Sequence, residues 1–199
     1  MVIKTYPLGE YGANCYLVIN DKNGEGIVID PGANGAGLIK EIEKLTYNIK
    51  GILLTHAHFD HIGGVKELKD KYNIPVYVNQ GEVDNSKIDN NVYSKLPNDC
   101  SLINDGDVLN IGGINIKCLH TPGHSKGGMC FLIEDSVFTG DTLFQGSIGR
   151  TDFISGDFKT LIDSIQKKLI TLDGDTKVYP GHGPSSTIMY ERMRNPFLH

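Results

Sequence analysis

The 199-residue chain reads as an α/β layered fold. Three observations predict it. Short apolar runs bounded by Gly, Asn and Asp mark strands, segments with an apolar residue every three to four positions mark helices, and strands followed by helices occur twice along the chain. Strands are predicted at Val2–Thr5, Cys15–Ile19 and Gly26–Asp30, separated by Gly and Asn turns. Gly35–Leu45 carries Leu38, Ile39, Ile42 and Leu45 at helical spacing, and Asn48–Thr55 returns to an extended apolar run. Ile62, Val65, Leu68 and Tyr72 predict one further helix, stopped ahead of Pro75, with a strand at Val76–Val78. The polar stretch Gln80–Asp99 gives no periodic signal.

In the second half, Val108–Ile111, Ile114–His120, Met129–Ile133 and Ser136–Thr139 predict successive antiparallel strands. Phe158–Leu169 is predicted helical, Thr176–Tyr179 a last strand and Ser185–Met193 a terminal helix. No low-complexity tract or Pro/Ser-rich linker divides the sequence, so residues 1–199 read as one domain built from two related halves.

Composition excludes several classes of function. Acidic residues outnumber basic ones by 24 to 19, the net charge is -5, and Lys and Arg are scattered, so no clustered positive face for nucleic acid is expected. Apolar runs fall far short of the ~20 residues that cross a bilayer, and the start has no basic segment followed by an apolar one. A cytoplasmic protein with no membrane partner is expected. Cys15, Cys100, Cys118 and Cys130 show no C-x-x-C spacing, sit mostly among apolar neighbours and read as reduced thiols.

The decisive segment is Thr55-His56-Ala57-His58-Phe59-Asp60-His61, between a predicted strand and a predicted helix. Alternate side chains of an extended loop point the same way, so His56, His58 and Asp60 can converge, with His61 serving a neighbouring position. Taken singly, Asp60 reads as a helix cap and His56 as a hydrogen-bonded histidine at a strand end. Taken together, imidazoles and a carboxylate crowded in one loop desolvate poorly without a cation, and these donors suit Zn, Fe or Mn better than Ca or Mg. Pro122-Gly123-His124 and Pro180-Gly181-His182 each follow a predicted strand, and Asp141 stands just past another. In both turns Pro fixes the chain direction, and Gly lets the backbone pass close to a crowded centre. Each turn alone is ordinary; three strand ends delivering ligand-type residues point to one shared site.

His56-x-His58-x-Asp60-His61, then His124, Asp141 and His182, with Asp30-Pro31-Gly32 upstream, resemble the metallo-β-lactamase superfamily over nearly the whole chain. The resemblance implies a four-layer αβ/βα sandwich of two facing mixed sheets flanked by helices, with the site at one edge of the sheets. It implies one metal on His56, His58 and His124, a second on Asp60, His61 and His182, and Asp141 bridging them. Zn is the default cation, with Fe or Mn as alternatives for the same donors. Two such ions hold water as hydroxide near neutral pH, which makes that hydroxide the expected nucleophile and Asp60 the group that orients it and takes its proton.

The stretch from Gly140 through Phe153 and the ending Pro180–Pro184 with Asn195–Leu198 look like the short, single-domain glyoxalase II-like hydrolases. These typically cleave a hydroxyacyl-glutathione thioester such as S-lactoylglutathione. Only 17 residues follow His182, so the helical glutathione-binding domain of the longer enzymes is not expected here. Arg150 is a candidate for gripping a substrate carboxylate, the alternative being an ion pair with Asp152. Gly149-Arg150-Thr151-Asp152-Phe153 also resembles persulfide dioxygenases of the same fold, which use one iron on residues matching His56, His124 and Asp141. The expected partner is a small thioester or ester substrate. His120 and His199 are expected to stand outside the site.

Overall fold

A computed structural model describes residues 1–88 and 91–199. Six strands form the first sheet in sequence order: β1 (Val2–Leu8), β2 (Ala13–Ile19), β3 (Glu25–Ile29), β4 (Asn48–Leu53), β5 (Val76–Val78) and β6 (Ser101–Leu102). The meander β1-β2-β3 is antiparallel; β3 through β6 are parallel and need crossovers. Helices α1 (Gly35–Lys44), α2 (Phe59–Ile62), α3 (Val65–Tyr72) and α4 (Gln80–Asn85) lie in those crossovers.

The second sheet takes β7 (Val108–Ile111), β8 (Ile114–His120), β9 (Met129–Ile133) and β10 (Ser136–Gly140) as an antiparallel run. A small hairpin follows, β11 (Leu143–Phe144) with β12 (Ser147–Ile148), and then helix α5 (Phe158–Ser164). Strand β13 (Lys177–Pro180) adds parallel to β10, β14 (Ser186–Thr187) adds at the edge, and α6 (Ile188–Arg194) is followed by a 3₁₀ turn at Pro196–Leu198.

Strand alternation sorts the side chains into layers. Tyr16 and Val18 of β2 pack with Ile27, Ile29, Ile116, Cys118, Phe131 and Phe138 in a core between the sheets. Cys15, Leu17 and Ile19 of the same strand point the other way, onto Leu38, Ile42, Val65 and Leu68 of α1 and α3. Cys130, Val137 and Val178 leave the second sheet's outer face against Leu161, Ile165 and Ile188. The result is helix, sheet, sheet, helix, as the resemblance implies. All four cysteines are unpaired. Among the described residues no helix is long and apolar enough to cross a membrane.

Four elements differ from the sequence reading. The helix predicted through Ile62 and Tyr72 breaks into α2 and α3, because the amides of Gly63 and Gly64 turn outward to the carbonyls of Gly32 and Pro31 at 2.9 and 2.7 Å. The helix over Phe158–Leu169 is α-helical only to Ser164 and finishes in a π turn, Ile165–Leu169. The terminal helix starts at Ile188 instead of Ser185, since Ser186–Thr187 pair with β13 and Thr187 caps α6 by accepting from the Tyr190 amide. The polar stretch Gln80–Asp99 holds α4; residues 89 and 90 of it lie outside the described residues.

The two sheets are pinned where the site lies. Buried Asn14 at the start of β2 donates to the carbonyls of Pro180 and Gly183 at 3.0 and 2.9 Å, and Tyr16 donates to Pro180 at 2.5 Å. The Met129 amide donates to the Thr55 carbonyl at 2.8 Å, tying the end of β4 to β9. Asn14→Ala leaves two carbonyls without this donor and is expected to cost about 1–3 kcal/mol. Urea unfolding of the metal-free variant measures it, and an unchanged midpoint would remove Asn14 from this role.

Candidate metal centre

Five strand ends converge on one edge of the two sheets. Strand β3 runs into Asp30, β4 into the His56–His61 loop, β8 into the turn bearing His124, β10 into Asp141 and β13 into the turn bearing His182. His56, His58, His61 and His124 are buried, while Asp60, Asp141 and His182 keep partial exposure. Donor atoms of His56, His58 and His124 lie within 4.8 Å of one another, and so do those of Asp60, His61 and His182. Asp141 stands between the sets, with Oδ1 3.4 Å from His61 Nε2 and Oδ2 3.6 and 3.7 Å from His124 Nε2 and His182 Nε2.

All seven sequence-predicted residues therefore meet. Strand alternation nevertheless fails after His58: α2 begins at Phe59, so Asp60 turns away from His56 and His58 and joins His61 and His182. Nor does Asp60 cap a helix, since it is the second residue of α2 and His58 holds the cap position. At Gly181 a Cβ would lie 2.1 Å from Asp141 Oδ1 and 2.8 Å from His61 Cε1, so the turn delivering His182 requires glycine. Gly123 is needed for a different reason than a crowded centre. Its φ is +130°, and a Cβ there would strike the Leu161 backbone of α5 at 2.3 Å.

Hydrogen bonds dictate which imidazole nitrogen faces inward. A carbonyl oxygen can only accept, so His124 Nδ1–H donates to Arg150 O at 2.8 Å and His182 Nδ1–H to Tyr11 O at 3.1 Å. His61 Nδ1–H donates to the Asp30 carboxylate at 3.0 Å. Thr55 Oγ1 gives its proton to Asp30 Oδ2 at 2.5 Å and accepts from His56 Nδ1–H at 3.0 Å. Each of these four rings thus turns Nε2 toward the centre, the second-layer pattern that orients metal-binding histidines. His58 is the exception, with Nδ1 3.0 Å from His124 Nε2. His56 Nε2, His58 Nε2 and Asp141 Oδ1 are buried without a hydrogen-bond partner. His56 Nε2 and Asp141 Oδ1, orphaned beside the inward-turned Nε2 atoms of His61 and His124, fit a divalent cation. Asp30 also lies near His56 and His61, but the Thr55 amide, the Thr55 hydroxyl and His61 already occupy it.

The electrostatics divide the two sets. Burial, aided by His124 and His61, drives His58 down to about 2. Burial and the neighbouring histidines take His56 well below its ordinary value, and burial outweighs Asp141 to lower His124. In the other set burial opposes protonation of His61, but Asp141, the bond to Asp30 and Asp60 raise it to about 9. His182 rises too, against burial, through its bond to Asp60 and the charge of Asp141. Burial disfavours ionised Asp60, yet the His182 bond and His61 hold its carboxyl at about 2. Without metal, the carboxylate-bearing set therefore retains protons and the three-imidazole set stays neutral.

A cavity of about 430 Å³ opens onto the centre, walled by Tyr11, Phe59, Phe144 and Phe153. Arg150 lines it with its guanidinium 3.9 Å above the Phe153 ring and bidentate to Asp152 at 2.7 Å, the ion pair weighed as the alternative reading of this residue. His120 stands apart, bonded to the Lys126 carbonyl, and His199 is exposed at the end of the chain. Sequence reasoning missed three participants: the aromatic walls, Asp30 as the anchor of His61 and Thr55, and Glu82, a buried carboxylate that accepts from Ala57 N and Gly127 N. Asp30 carried a signal in its place before Pro31-Gly32; Glu82, in the stretch without periodicity, carried none.

The model of the metallo-beta-lactamase superfamily matches residues 8–182. A probable metallo-hydrolase of Bacillus subtilis, YqgX, is 41% identical over 96% of this chain and 95% of its own length. The hydroxyacylglutathione hydrolase GloC of Haemophilus influenzae is 38% identical over 100% of this chain and 98% of its own. Among solved structures, the B3 metallo-beta-lactamase BLEG-1 superimposes with a TM-score of 0.90 at 38% identity, covering 99% of both chains. TTHA1623 in a di-iron-bound form gives 0.84 at 34% identity over the whole of both. With the fold, the gathered histidines and the family model in agreement, the chain belongs to the metallo-β-lactamase superfamily of metallo-hydrolases.

Proposed function

We propose that this protein is a cytoplasmic, dinuclear metallohydrolase that cleaves small thioesters of the S-lactoylglutathione kind. One observation carries the reading: Asp141 reaches both donor sets, approaching His124 with Oδ2 and His61 with Oδ1. That arrangement supports His56, His58 and His124 as ligands of one ion, Asp60, His61 and His182 as ligands of the other, and Asp141 as the bridge. Zn suits the donors, and Fe or Mn suits them too. Two divalent ions there would supply Lewis-acid polarisation of a carbonyl and an ionised water near neutral pH.

The chain's own residues supply the rest. Asp60 lines the cavity with a carboxyl held at about 2, so it stays ionised near neutral pH and serves as a standing hydrogen-bond acceptor that orients the attacking water. Tyr11 and Phe59 meet edge to face at 5.2 Å and, with Phe144 and Phe153, give the acyl and thiol chains an apolar wall that sheds water. The Arg150–Asp152 pair is exposed, so a substrate carboxylate can replace Asp152 on the guanidinium at little cost. The likeness to GloC supports a hydroxyacyl thioester; the likeness to BLEG-1 makes the β-lactam amide the second bond to try.

Turnover of S-lactoylglutathione and of a chromogenic cephalosporin, with elemental analysis and an oxygen electrode alongside, tests this reading. Thioester cleavage without O₂ uptake is expected, whereas iron with O₂ uptake on glutathione persulfide would move the protein to the dioxygenase reading. His58→Ala and Asp141→Ala are each expected to cost at least about 10²-fold in turnover while leaving the circular dichroism unchanged; wild-type rates in either would overturn the ligand assignment.

Cation binding should also release protons. The metal-free His61, raised to about 9, is protonated near neutral pH, and a cation must displace that proton. Apparent affinity for Zn is therefore expected to rise with pH up to about 9. His61 stabilises the metal-free fold fully below about pH 6.5, and this contribution fades as pH climbs through about 9. Calorimetric Zn titration in two buffers of different ionisation enthalpy measures the release, and identical heats would contradict it.

A further inference from the structure

We infer that Glu82 is a positioning residue, a buried carboxylate clamp that fixes the two loops bearing His56, His58 and His124 before any cation arrives. This rests on the reading of those imidazoles as one metal's ligands. Glu82 is 0% exposed. Its Oε2 accepts from the Ala57 amide at 2.7 Å and its Oε1 from the Gly127 amide at 2.8 Å. Ala57 lies between His56 and His58, and Gly127 lies three residues past His124. One carboxylate thus spans the loop that follows β4 in the first sheet and the loop that follows β8 in the second. Those loops meet again at the ligand end, where His58 Nδ1 and His124 Nε2 stand 3.0 Å apart.

The surrounding backbone leaves the clamp no slack. A Cβ on Gly127 would lie 2.6 Å from Glu82 N, and one on Gly81 would lie 2.9 Å from Gly127 Cα, so α4 is pressed against the His124 loop. Asn79 holds the start of α4, accepting from the Gly81 amide at 2.9 Å and donating to the Ile103 carbonyl at 2.9 Å. Glu82 is therefore anchored on its own side and reaches across with both oxygens. The Asp60–His61–His182 set takes no hydrogen bond from it; its anchors are Asp30 and the Tyr11 carbonyl. The prediction is selective: weakening the clamp should loosen one ion and spare the other.

Metal-free wild-type protein and Glu82→Gln, each titrated with Co(II) and followed by calorimetry and visible absorption, test it, with bound ions counted by elemental analysis. Wild type is expected to take two ions. Glu82→Gln should keep one at wild-type affinity and bind the other about 10–100-fold more weakly, the usual effect of removing a group that orients ligands. Glu82→Asp, which keeps the charge but is too short to reach both amides, should fall between them. Wild-type affinity for both ions in Glu82→Gln, or an equal loss at both, overturns the clamp. Wild type that binds no ion overturns the metal reading and this inference with it. If Glu82→Gln does not fold, amide exchange in metal-free wild type decides: slow exchange at both Ala57 and Gly127 supports the clamp, and open-loop rates at either overturn it.

Discussion

Everything at this site depends on a crowd of lone pairs held face to face. Four imidazoles spend Nδ1–H on a fixed acceptor, and so must present a bare Nε2 to the same small space as the Asp60 and Asp141 carboxylates. Such a cluster repels itself. Only positive charge resolves it, as a proton on His61 in the metal-free chain or as divalent cations in the proposed working form. The acceptors are mostly main-chain carbonyls or buried side chains, so the rings cannot swing away to relieve the strain.

Holding that arrangement is a task for two sheets rather than one. The His56–His61 loop leaves the first sheet, whereas His124, Asp141 and His182 leave the second, so any sliding between the layers would open the centre. The shared core of Tyr16, Phe131 and Phe138 resists sliding through packing that tolerates few voids. Directional bonds then set the register: Asn14 and Tyr16 to Pro180, Met129 to Thr55, and Glu82 across to Gly127. The loops that bear these residues are short and rigidly rooted, which is how a loop site attains precision.

Legibility in the sequence followed the range of the interactions. His56, His58, Asp60 and His61 stand within six positions, so their density alone announced a site. His124, Asp141 and His182 could be added because each closes a readable strand. The grouping of Asp60 with His61 and His182 was implied only by family resemblance, since loop alternation placed it with His56 and His58, and α2 begins too abruptly for periodicity to show. The break at Gly63–Gly64 depends on carbonyls of Pro31 and Gly32 some thirty positions away. Glu82 was invisible for the same reason: its partners at 57 and 127 are main-chain amides, which no side-chain pattern encodes.

Tyr11, Phe59, Phe144, Phe153 and Arg150 line the cavity beside five of the seven donors without being donors themselves, and this division of roles bears on substrate choice. The donors are buried or partly buried, in α2 and in the loops that follow strand ends, while Tyr11, Phe59, Phe144 and Arg150 are partly or fully exposed on turns and short elements. Exchange of wall residues costs the fold little, whereas exchange of a donor leaves buried charge unmatched. One centre can therefore persist while the bond it cleaves changes, which accounts for a single chain resembling both a hydroxyacylglutathione hydrolase and a B3 metallo-beta-lactamase to equal degree. Under the proposed function, discrimination between a flexible charged thiol and a compact bicyclic amide would fall to the aromatic wall and to whether Asp152 yields Arg150 to the substrate. Reaction type follows from the centre; substrate identity follows from its rim.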